Sequence, residues 1–366
     1  MKQTESVGSL QMAVLFLFFL TGSSIVIIPS PLTSVAGSGA WLSLLLALLL
    51  GMAMLAVLLY VHRAGGGRPF IAYTRSALGG PLTWFVMAPF ALLLFWNVAG
   101  IVIEIGFFFK STMLKETPTY AVNGMLFLII ALTVRAGLET MARMAALLLL
   151  LMFGFVALIL VLVSGLYRIE FLLPILPEGI KPILHGAYIA YGFPYAELFI
   201  FAVLLPHVRA REAGRISRHL YIALAVNGLT FVCAILGSLM VLGPLTGELK
   251  YSLYQLARLI YIREIVERIE LVIGFSLIVG FYFKTAIALL ILIKLLAALL
   301  RLQDEQLLTF PVALICFLLS LTTYTTESAT EQIVNVTWPL LTTLAYAAPV
   351  VLLAVVLGFK AMADTS

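Results

Sequence analysis

The stretch Ala190-Tyr191-Gly192-Phe193-Pro194-Tyr195-Ala196-Glu197 interrupts a hydrophobic segment in the second half of this chain. At the corresponding place in the first half, Leu20-Thr21-Gly22-Ser23-Ser24-Ile25 interrupts the first hydrophobic segment, and Pro29 follows it. Unwound backbone survives inside a membrane only where it lines an enclosed cavity, because its N–H and C=O groups need partners. Two such interruptions in matching places therefore predict a ligand site between the two halves.

The composition supports a membrane protein. Hydrophobic residues make up 63% of the chain and charged residues 11%, and the mean hydropathy is +1.14. Since soluble domains carry about 25% charged residues, an ordinary soluble protein is excluded. Lys and Arg in cytoplasmic loops account for the net charge of +5, so no nucleic-acid partner is expected. Cys233 and Cys316 lie in apolar runs, which predicts buried side chains without a disulfide or a metal.

Ten apolar stretches are long enough to cross a membrane, where about 20 residues are needed. They lie at residues 10–35, 41–60, 82–109, 119–135, 143–166, 182–206, 219–243, 269–296, 307–323 and 338–359. The interrupted stretches come first and sixth, the long ones third and eighth, and the short ones fourth and ninth. The sequence therefore predicts an all-α integral membrane protein of ten transmembrane helices, with broken helices 1 and 6.

This agreement in position divides the chain into two sets of five helices. Residues 1–167 form the first repeat and residues 168–366 the second, together one transmembrane domain. Because five is odd, the second repeat enters the membrane in the opposite sense, which makes it a 5+5 inverted repeat. The excess of Lys and Arg on one side predicts that both termini are cytoplasmic. The apolar N-terminal run lacks a cleavage site and is expected to remain as the first membrane helix.

The two interruptions offer different chemistry. Gly22, Ser23 and Ser24 allow a ligand to approach the backbone, and half-helix N-termini suit an anionic group such as a carboxylate. Small residues also simply let membrane helices pack closely, and this alternative remains for either interruption taken alone. In the second interruption Tyr191 and Phe193 could form an aromatic wall.

Ionisable residues inside a membrane are costly and are candidates for function. Glu197 follows the second interruption, and Lys284 lies inside the eighth segment. A buried Glu197–Lys284 pair is one interpretation, and Lys284 in place of a coupling cation is another. Glu104, in the outer part of the third segment, either contributes to the site or pairs with Lys110 or another surface cation. Asn97, one to two turns inward, could bind a polar ligand or pack against a neighbouring helix.

The loop from Leu245 to Glu267 is apolar on one side and basic on the other over part of its length. This pattern predicts an amphipathic helix that lies over the bundle or in the interface, although a plain connector is an equal alternative. The Gly-rich turn Gly65-Gly66-Gly67-Arg68 lacks the ending of a phosphate-binding loop. With no catalytic constellation or metal spacing, we expect no enzyme, no catalytic residue, no metal and no cofactor.

Several of these elements together resemble a known family. They are Gly22 to Pro29 with Ala36-Gly37 and Trp41, then Leu173-Pro174, Gly179-Ile180-Lys181-Pro182-Ile183-Leu184, Gly192-Phe193-Pro194-Tyr195-Ala196-Glu197 and Ile265-Val266-Glu267-Arg268-Ile269-Glu270. In combination the chain resembles the B subunit of spore germinant receptors. This is the endospore germination permease family, within the amino acid–polyamine–organocation superfamily with its leucine-transporter-type fold.

The resemblance implies a sensor in the spore inner membrane that assembles with receptor A and C subunits. It implies a small-molecule germinant, often an amino acid, bound at the unwound centres of helices 1 and 6. The implied ligand-binding residues are Gly22, Ser23, Ser24, Ile25, Asn97, Ile101, Glu104, Tyr191, Gly192, Phe193, Lys284 and Thr285. Structural or gating roles are implied for Pro29, Pro194, Glu197 and Arg268. The alternative function is a proton-coupled amino acid permease of the same superfamily.

Overall fold

The computed structural model describes residues 5–112, 114–176, 179–260, 269–323 and 332–363. Helices dominate these ranges, in which the one bridge of β type is the isolated pairing of Val7 with Val208. The first half contains α1 Ser9–Thr21, α2 Ser24–Ile27, α3 Pro29–Ala36, α4 Ala40–Ala64, α5 Phe70–Leu78, α6 Gly80–Thr112, α7 Thr119–Arg135 and α8 Leu138–Leu162.

The second half begins with α9 Ile180–Gly192, which a 3₁₀ helix continues over Tyr195–Val203. It goes on with α10 Ile216–Leu242, α11 Ser252–Arg258, α12 Ile269–Leu300, α13 Thr309–Thr322, α14 Trp338–Thr342 and α15 Ala348–Ala363. Two π-helical turns, Ile333–Thr337 and Thr343–Ala347, flank α14 and make the tenth segment nearly continuous.

Nine helical stretches in the described residues are long and apolar enough to span a membrane, against the ten that the sequence predicts. The difference lies at α7, an apolar helix of 17 residues, which is shorter than each of these nine stretches. Its bounds, Thr119–Arg135, coincide with the predicted fourth segment. A helix of this length reaches about 26 Å, close to the thickness of a bilayer core.

The two interruptions differ in degree. In the first segment Gly22 and Ser23 leave the helix, as does Ile28 one turn later, and all three keep right-handed dihedral angles. In the sixth segment Phe193 is extended, with φ −143° and ψ 111°, and the chain continues as a 3₁₀ helix. The position of proline explains the difference. Pro194 lies within its interruption, whereas Pro29 occupies the first turn of α3, where no intrahelical N–H bond is lost.

Three segments form the inside of the bundle. About four fifths or more of the most apolar window is buried in Ser9–Ile27 (78%), Ile180–Val203 (89%) and Gly274–Leu300 (83%), against 28% in Leu138–Leu162. Aromatic rings join these inner segments, with Phe16 and Phe201 at 5.1 Å and Phe18 and Phe283 at 4.7 Å between centroids. The interrupted segments are thus held in the middle of the molecule.

The backbones of the first and eighth segments approach closely at two glycines. A Cβ added at Gly22 would lie 2.6 Å from the carbonyl oxygen of Gly280, and one added at Gly280 would lie 2.6 Å from the carbonyl oxygen of Gly22. Small residues permit such contacts between membrane helices, where van der Waals packing replaces the hydrophobic effect as the driving force. Gly22 therefore has a packing role, whatever else it does.

Residues 5–9 tie down one end of the bundle, which we call the N-terminal face. The Val7 amide donates to the His207 carbonyl at 3.0 Å, and the Arg209 amide donates to the Val7 carbonyl at 3.0 Å. The Glu5 carboxylate accepts from the Leu138 amide at the start of α8. The Ser9 amide donates to Glu212 at 2.8 Å, and the Ser9 hydroxyl lies 2.9 Å from His219 Nδ1.

The opposite end, which we call the vestibule face, carries α11. Five of its seven residues are buried. The rings of Tyr251 and Tyr254 pack edge-on against Phe108 of α6, at 5.0 and 5.5 Å. The helix predicted within the Leu245–Glu267 loop is therefore present and lies over the bundle, while residues 261–267 fall outside the described part of the chain.

Candidate functional site

A cavity of about 50 Å³ lies beside both interruptions. The first, third, sixth and tenth segments contribute its walls. The lining residues are Ser23, Ile27, Trp96, Asn97, Gly100, Ile101, Glu104, Phe193, Glu197, Val334 and Trp338. Aromatic and aliphatic groups surround a few polar atoms, which is the usual make-up of a small-molecule site.

Glu197 connects three other segments to the sixth. Its Oε1 accepts from Asn97 Nδ2 at 2.7 Å and from Trp338 Nε1 at 3.2 Å. Its Oε2 lies 2.9 Å from Lys284 Nζ, and both side chains are at most 1% exposed. A carboxylate this far from water needs an opposite charge and hydrogen-bond donors around it. Lys284 supplies the charge, and Asn97 and Trp338 donate the hydrogen bonds.

Lys284 completes the arrangement from the eighth segment. Its ammonium donates to the Ser24 hydroxyl at 3.3 Å. It lies over two aromatic faces, 4.2 Å from the Phe193 centroid and 4.8 Å from that of Phe19. Cation–π contacts of this kind gain strength where water is excluded. The Glu197–Lys284 pair that the sequence suggested is present, and it links both interruptions to α12.

A second cavity of about 120 Å³, the vestibule, opens at the vestibule face. It is lined by Ile27, Ser30, Pro31, Ser34, Glu104, Gly247, Glu248, Lys250, Val334 and Asn335. Ile27, Glu104 and Val334 line both cavities, so the two adjoin. At this junction Glu104 Oε2 lies 3.2 Å from Lys250 Nζ.

Of the residues implied to bind ligand, five line the inner cavity: Ser23, Asn97, Ile101, Glu104 and Phe193. Glu197, expected as a structural or gating residue, lines it too. The cation beside Glu104 is Lys250, from the loop before α11. The sequence analysis named Lys110 or another surface cation as the partner of Glu104. The structure places another cation, Lys250, beside it.

The other implied residues lie behind the cavity wall. Ile25 is buried, and Ser24 contacts Lys284. The Tyr191 hydroxyl lies 3.0 Å from Thr343 Oγ1, and the Thr285 hydroxyl donates back to the Phe281 carbonyl of its own helix. A Cβ at Gly192 would lie 2.4 Å from Pro339. Arg268 is outside the described residues.

The sequence interpretation missed Trp338, Val334 and Lys250. Trp338 donates to Glu197 from the tenth segment, and Pro339 beside it packs against Gly192. A tryptophan followed by proline in an apolar segment was a usable signal, because a buried indole N–H needs an acceptor. Lys250 lies in a loop, and nothing in its sequence neighbours indicates which helix it meets.

Broken inner helices around a cavity are the arrangement of membrane transporters, and solved transporter structures share this fold. MhsT in complex with L-phenylalanine matches with a TM-score of 0.66 at 13% identity, over 94% of this chain and 89% of that one. Mhp1, a nucleobase-cation-symport-1 family transporter, in a closed conformation with bromovinylhydantoin bound, matches with a TM-score of 0.70 at 13% identity, over 93% of this chain and 76% of that one. The predicted all-α, transporter-type fold is thereby confirmed.

The family is shown by sequence. The family model described as "Spore germination protein" matches residues 6–329, so the chain belongs to the spore germination protein family. Spore germination protein KB of Bacillus subtilis (strain 168) is 27% identical over 322 residues, which cover 87% of this chain and 85% of that protein. Spore germination protein XB of Bacillus anthracis is 22% identical over 272 residues, which cover 73% of this chain and 74% of that protein.

Proposed function

We propose that this protein is the germinant-sensing membrane subunit of a spore germination receptor. It binds a small molecule of the amino acid class in the cavity between the interrupted segments, and it relays this event to receptor A and C subunits. The family and the transporter-type fold support a membrane role in germination. In this proposal the membrane is the spore inner membrane, and the N-terminal face is cytoplasmic.

The contacts of Glu197 carry the proposal. One carboxylate at the cavity wall holds the third, eighth and tenth segments through Asn97, Lys284 and Trp338. A ligand shifts a conformational equilibrium only through different affinities for its states. A ligand that contacts Glu197 or Phe193 competes with bonds that fix four segments, so it can favour a different arrangement of these segments.

The fold accommodates an amino acid in at least one other protein, since MhsT was solved with L-phenylalanine. The same likeness supports the alternative of a proton-coupled amino acid permease, because Mhp1 is a transporter. The two functions differ in turnover. A permease concentrates its substrate when reconstituted alone, whereas a receptor subunit signals through its partners and need not transport.

The same substitution, glycine to leucine, made at two different positions tests the location of the site. Gly100 lines the cavity, and a Cβ there meets no atom within 4 Å. Gly154, on the exposed side of α8, is equally open. Gly100→Leu therefore adds at the cavity wall a side chain whose Cβ meets no other atom, and Gly154→Leu adds the same group outside the cavity.

The assay is thermal stabilisation of the purified receptor complex by a panel of amino acids, nucleosides and sugars. We expect a stereospecific shift with an amino acid that disappears in Gly100→Leu and persists in Gly154→Leu. A shift that survives in Gly100→Leu would place the site elsewhere. Uptake of the same amino acid into vesicles holding this chain alone would favour the permease.

A further inference from the structure

The inner cavity reaches the lipid-facing side of α6. On this helix Phe85, Leu92 and Trp96 are 79%, 67% and 42% exposed, and their spacing places them on one helical face. Gly100, one turn further, continues this face and is partly exposed. Trp96 and Gly100 also line the inner cavity. The cavity therefore meets the outer surface of the bundle at these two residues, and we call this place the lateral opening.

The tenth segment forms the other side of the lateral opening. Val334 and Trp338 line the same cavity, and Val336 between them is exposed. The tenth segment and α6 meet through Tyr346 and Phe90, whose ring centroids are 4.9 Å apart. Phe90 precedes the cavity residues of α6, and Tyr346 follows those of the tenth segment. This contact therefore bounds the gap between the two segments on the side of the N-terminal face.

The lateral opening lies at the depth of the lipid hydrocarbon. Trp96 is the middle residue of α6, which has 33 residues from Gly80 to Thr112. A helix of this length is about 50 Å long, so its middle lies well inside a hydrocarbon core of about 30 Å. Lipid chains surround a membrane protein at that depth. The cavity wall beside the opening, which includes Ile101 and Val334, is apolar as well.

We propose that the inner cavity binds the end of a lipid acyl chain, which enters from the bilayer between α6 and the tenth segment. The lipid-facing surface of α6 continues into the cavity at Gly100, so a chain that covers Trp96 outside can follow the wall inward. Hydrocarbon in an apolar pocket gains van der Waals contacts that an empty pocket lacks. The volume of about 50 Å³ limits the guest to the end of one chain.

The vestibule is the other way into the inner cavity. Its lining includes Ser30, Ser34 and Asn335, which suit water and dissolved polar molecules. A chain from the bilayer uses the lateral opening instead. The two routes therefore predict opposite responses of a cavity residue to quenchers dissolved in water and in lipid. This difference can be measured without a germinant, so the inference does not depend on the proposed function.

Fluorescence of Trp338 in the full chain distinguishes the two routes. This side chain is 7% exposed and lines the cavity, so a quencher reaches it mainly from inside the cavity. The reporter variant retains Trp338 and carries Trp41→Phe, Trp84→Phe and Trp96→Phe, in phosphatidylcholine vesicles. We expect phosphatidylcholine brominated midway along its acyl chains to quench Trp338, and acrylamide in the water to have no comparable effect.

Variants of the opening then change the quenching in opposite directions. Gly100→Leu in the reporter variant narrows the opening, and Gly154→Leu adds the same side chain on the exposed side of α8. We expect quenching by brominated lipid to fall at least about twofold in Gly100→Leu and to stay unchanged in Gly154→Leu. Trp96→Ala in place of Trp96→Phe widens the opening, so quenching should rise. That variant decides the matter if Gly100→Leu does not insert into vesicles.

Three results would overturn the inference. Equal quenching in the reporter variant and in Gly100→Leu, with no rise in Trp96→Ala, would mean that bromine reaches the indole from outside the cavity. Quenching of Trp338 by acrylamide alone would mean that the cavity opens only to the vestibule. Exclusion of both quenchers would mean that it is closed. None of these results affects the proposed function, which is tested by stabilisation with dissolved ligands, and failure of that test leaves the quenching result standing.

Discussion

Replacing Lys284 with Met should destabilise the protein strongly, because the variant leaves the Glu197 carboxylate without its counter-ion. The two groups are 2.9 Å apart and at most 1% exposed, so water cannot replace the lost ammonium. Asn97 and Trp338 still donate to Oε1, but among the described residues no second cation forms an ion pair with the anion. Breaking one side of such a pair typically costs about 3–5 kcal/mol of unfolding free energy.

A double variant separates the buried charge from the lost packing. Lys284→Met/Glu197→Gln removes both charges and keeps a side chain of similar size at each position. Since neutral replacements of buried pairs are often close to neutral in stability, we expect it to recover all but about 1 kcal/mol. Lys294→Met is the control on the same helix. Its partner Glu305 is 38% exposed, so the loss should be at most about 1 kcal/mol.

The measurement is equilibrium unfolding in mixed micelles, followed by circular dichroism, for the wild type and four variants: Lys284→Met, Glu197→Gln, the double variant and Lys294→Met. Strong coupling between Lys284→Met and Glu197→Gln is the expected result. The reasoning fails if the double variant is less stable than Lys284→Met by the full cost of Glu197→Gln. It also fails if Lys284→Met and Lys294→Met lose equal stability.

Three further predictions follow from single contacts. Gly22→Ala should lower the melting temperature more than Gly154→Ala does, because its Cβ would lie 2.6 Å from the Gly280 carbonyl oxygen; equal melting curves would contradict that contact. Trp338→Phe keeps a ring but removes a donor to Glu197; it should cost about 1–3 kcal/mol in the same unfolding assay, and no change would show that the bond contributes nothing. Burial, assisted by a nearby lysine ammonium, lowers the pKa of His207 from 6.5 to about 4. The unfolded chain then binds more protons between these values, so stability should fall as the pH drops from 6.5 toward 4, and His207→Gln should flatten that part of the profile.

The fold was predictable because a membrane imposes simple rules. Apolar length sets the spans, and the Gly–Pro interruption at 192–194 marks the sixth segment as a broken one. The fourth span was found at its correct bounds although it is short. The sequence did not predict that the backbone departs from a helix less at the first interruption than at the second. It depends on whether proline lies inside the interruption, as Pro194 does, or one turn beyond it, as Pro29 does.

The sequence predicted those residues of the candidate site whose charge is energetically costly inside an apolar segment. Glu197 and Lys284 were found because a charge inside an apolar segment needs an explanation. The sequence did not predict Lys250 and Trp338, because a lysine in a loop and a tryptophan in an apolar segment are both common in membrane proteins. Their importance comes from the helices they meet, Glu104 in one case and Glu197 in the other. The pairing of segments is a property of the folded chain.

The hydrogen bonds of residues 5–9 to later parts of the chain also determine when the first segment can complete its folding during synthesis. The partners of Ser9, Glu212 and His219, lie 203 and 210 residues further along the chain. A ribosome adding about 5–20 residues per second needs roughly 10–40 s to reach them. Throughout that interval the first segment, whose final neighbours include α10 and α12, lacks the contacts that bury it. Lipid, which is as apolar as those final neighbours, must cover the segment for that time, so the earliest residues made are among the last to reach their final place.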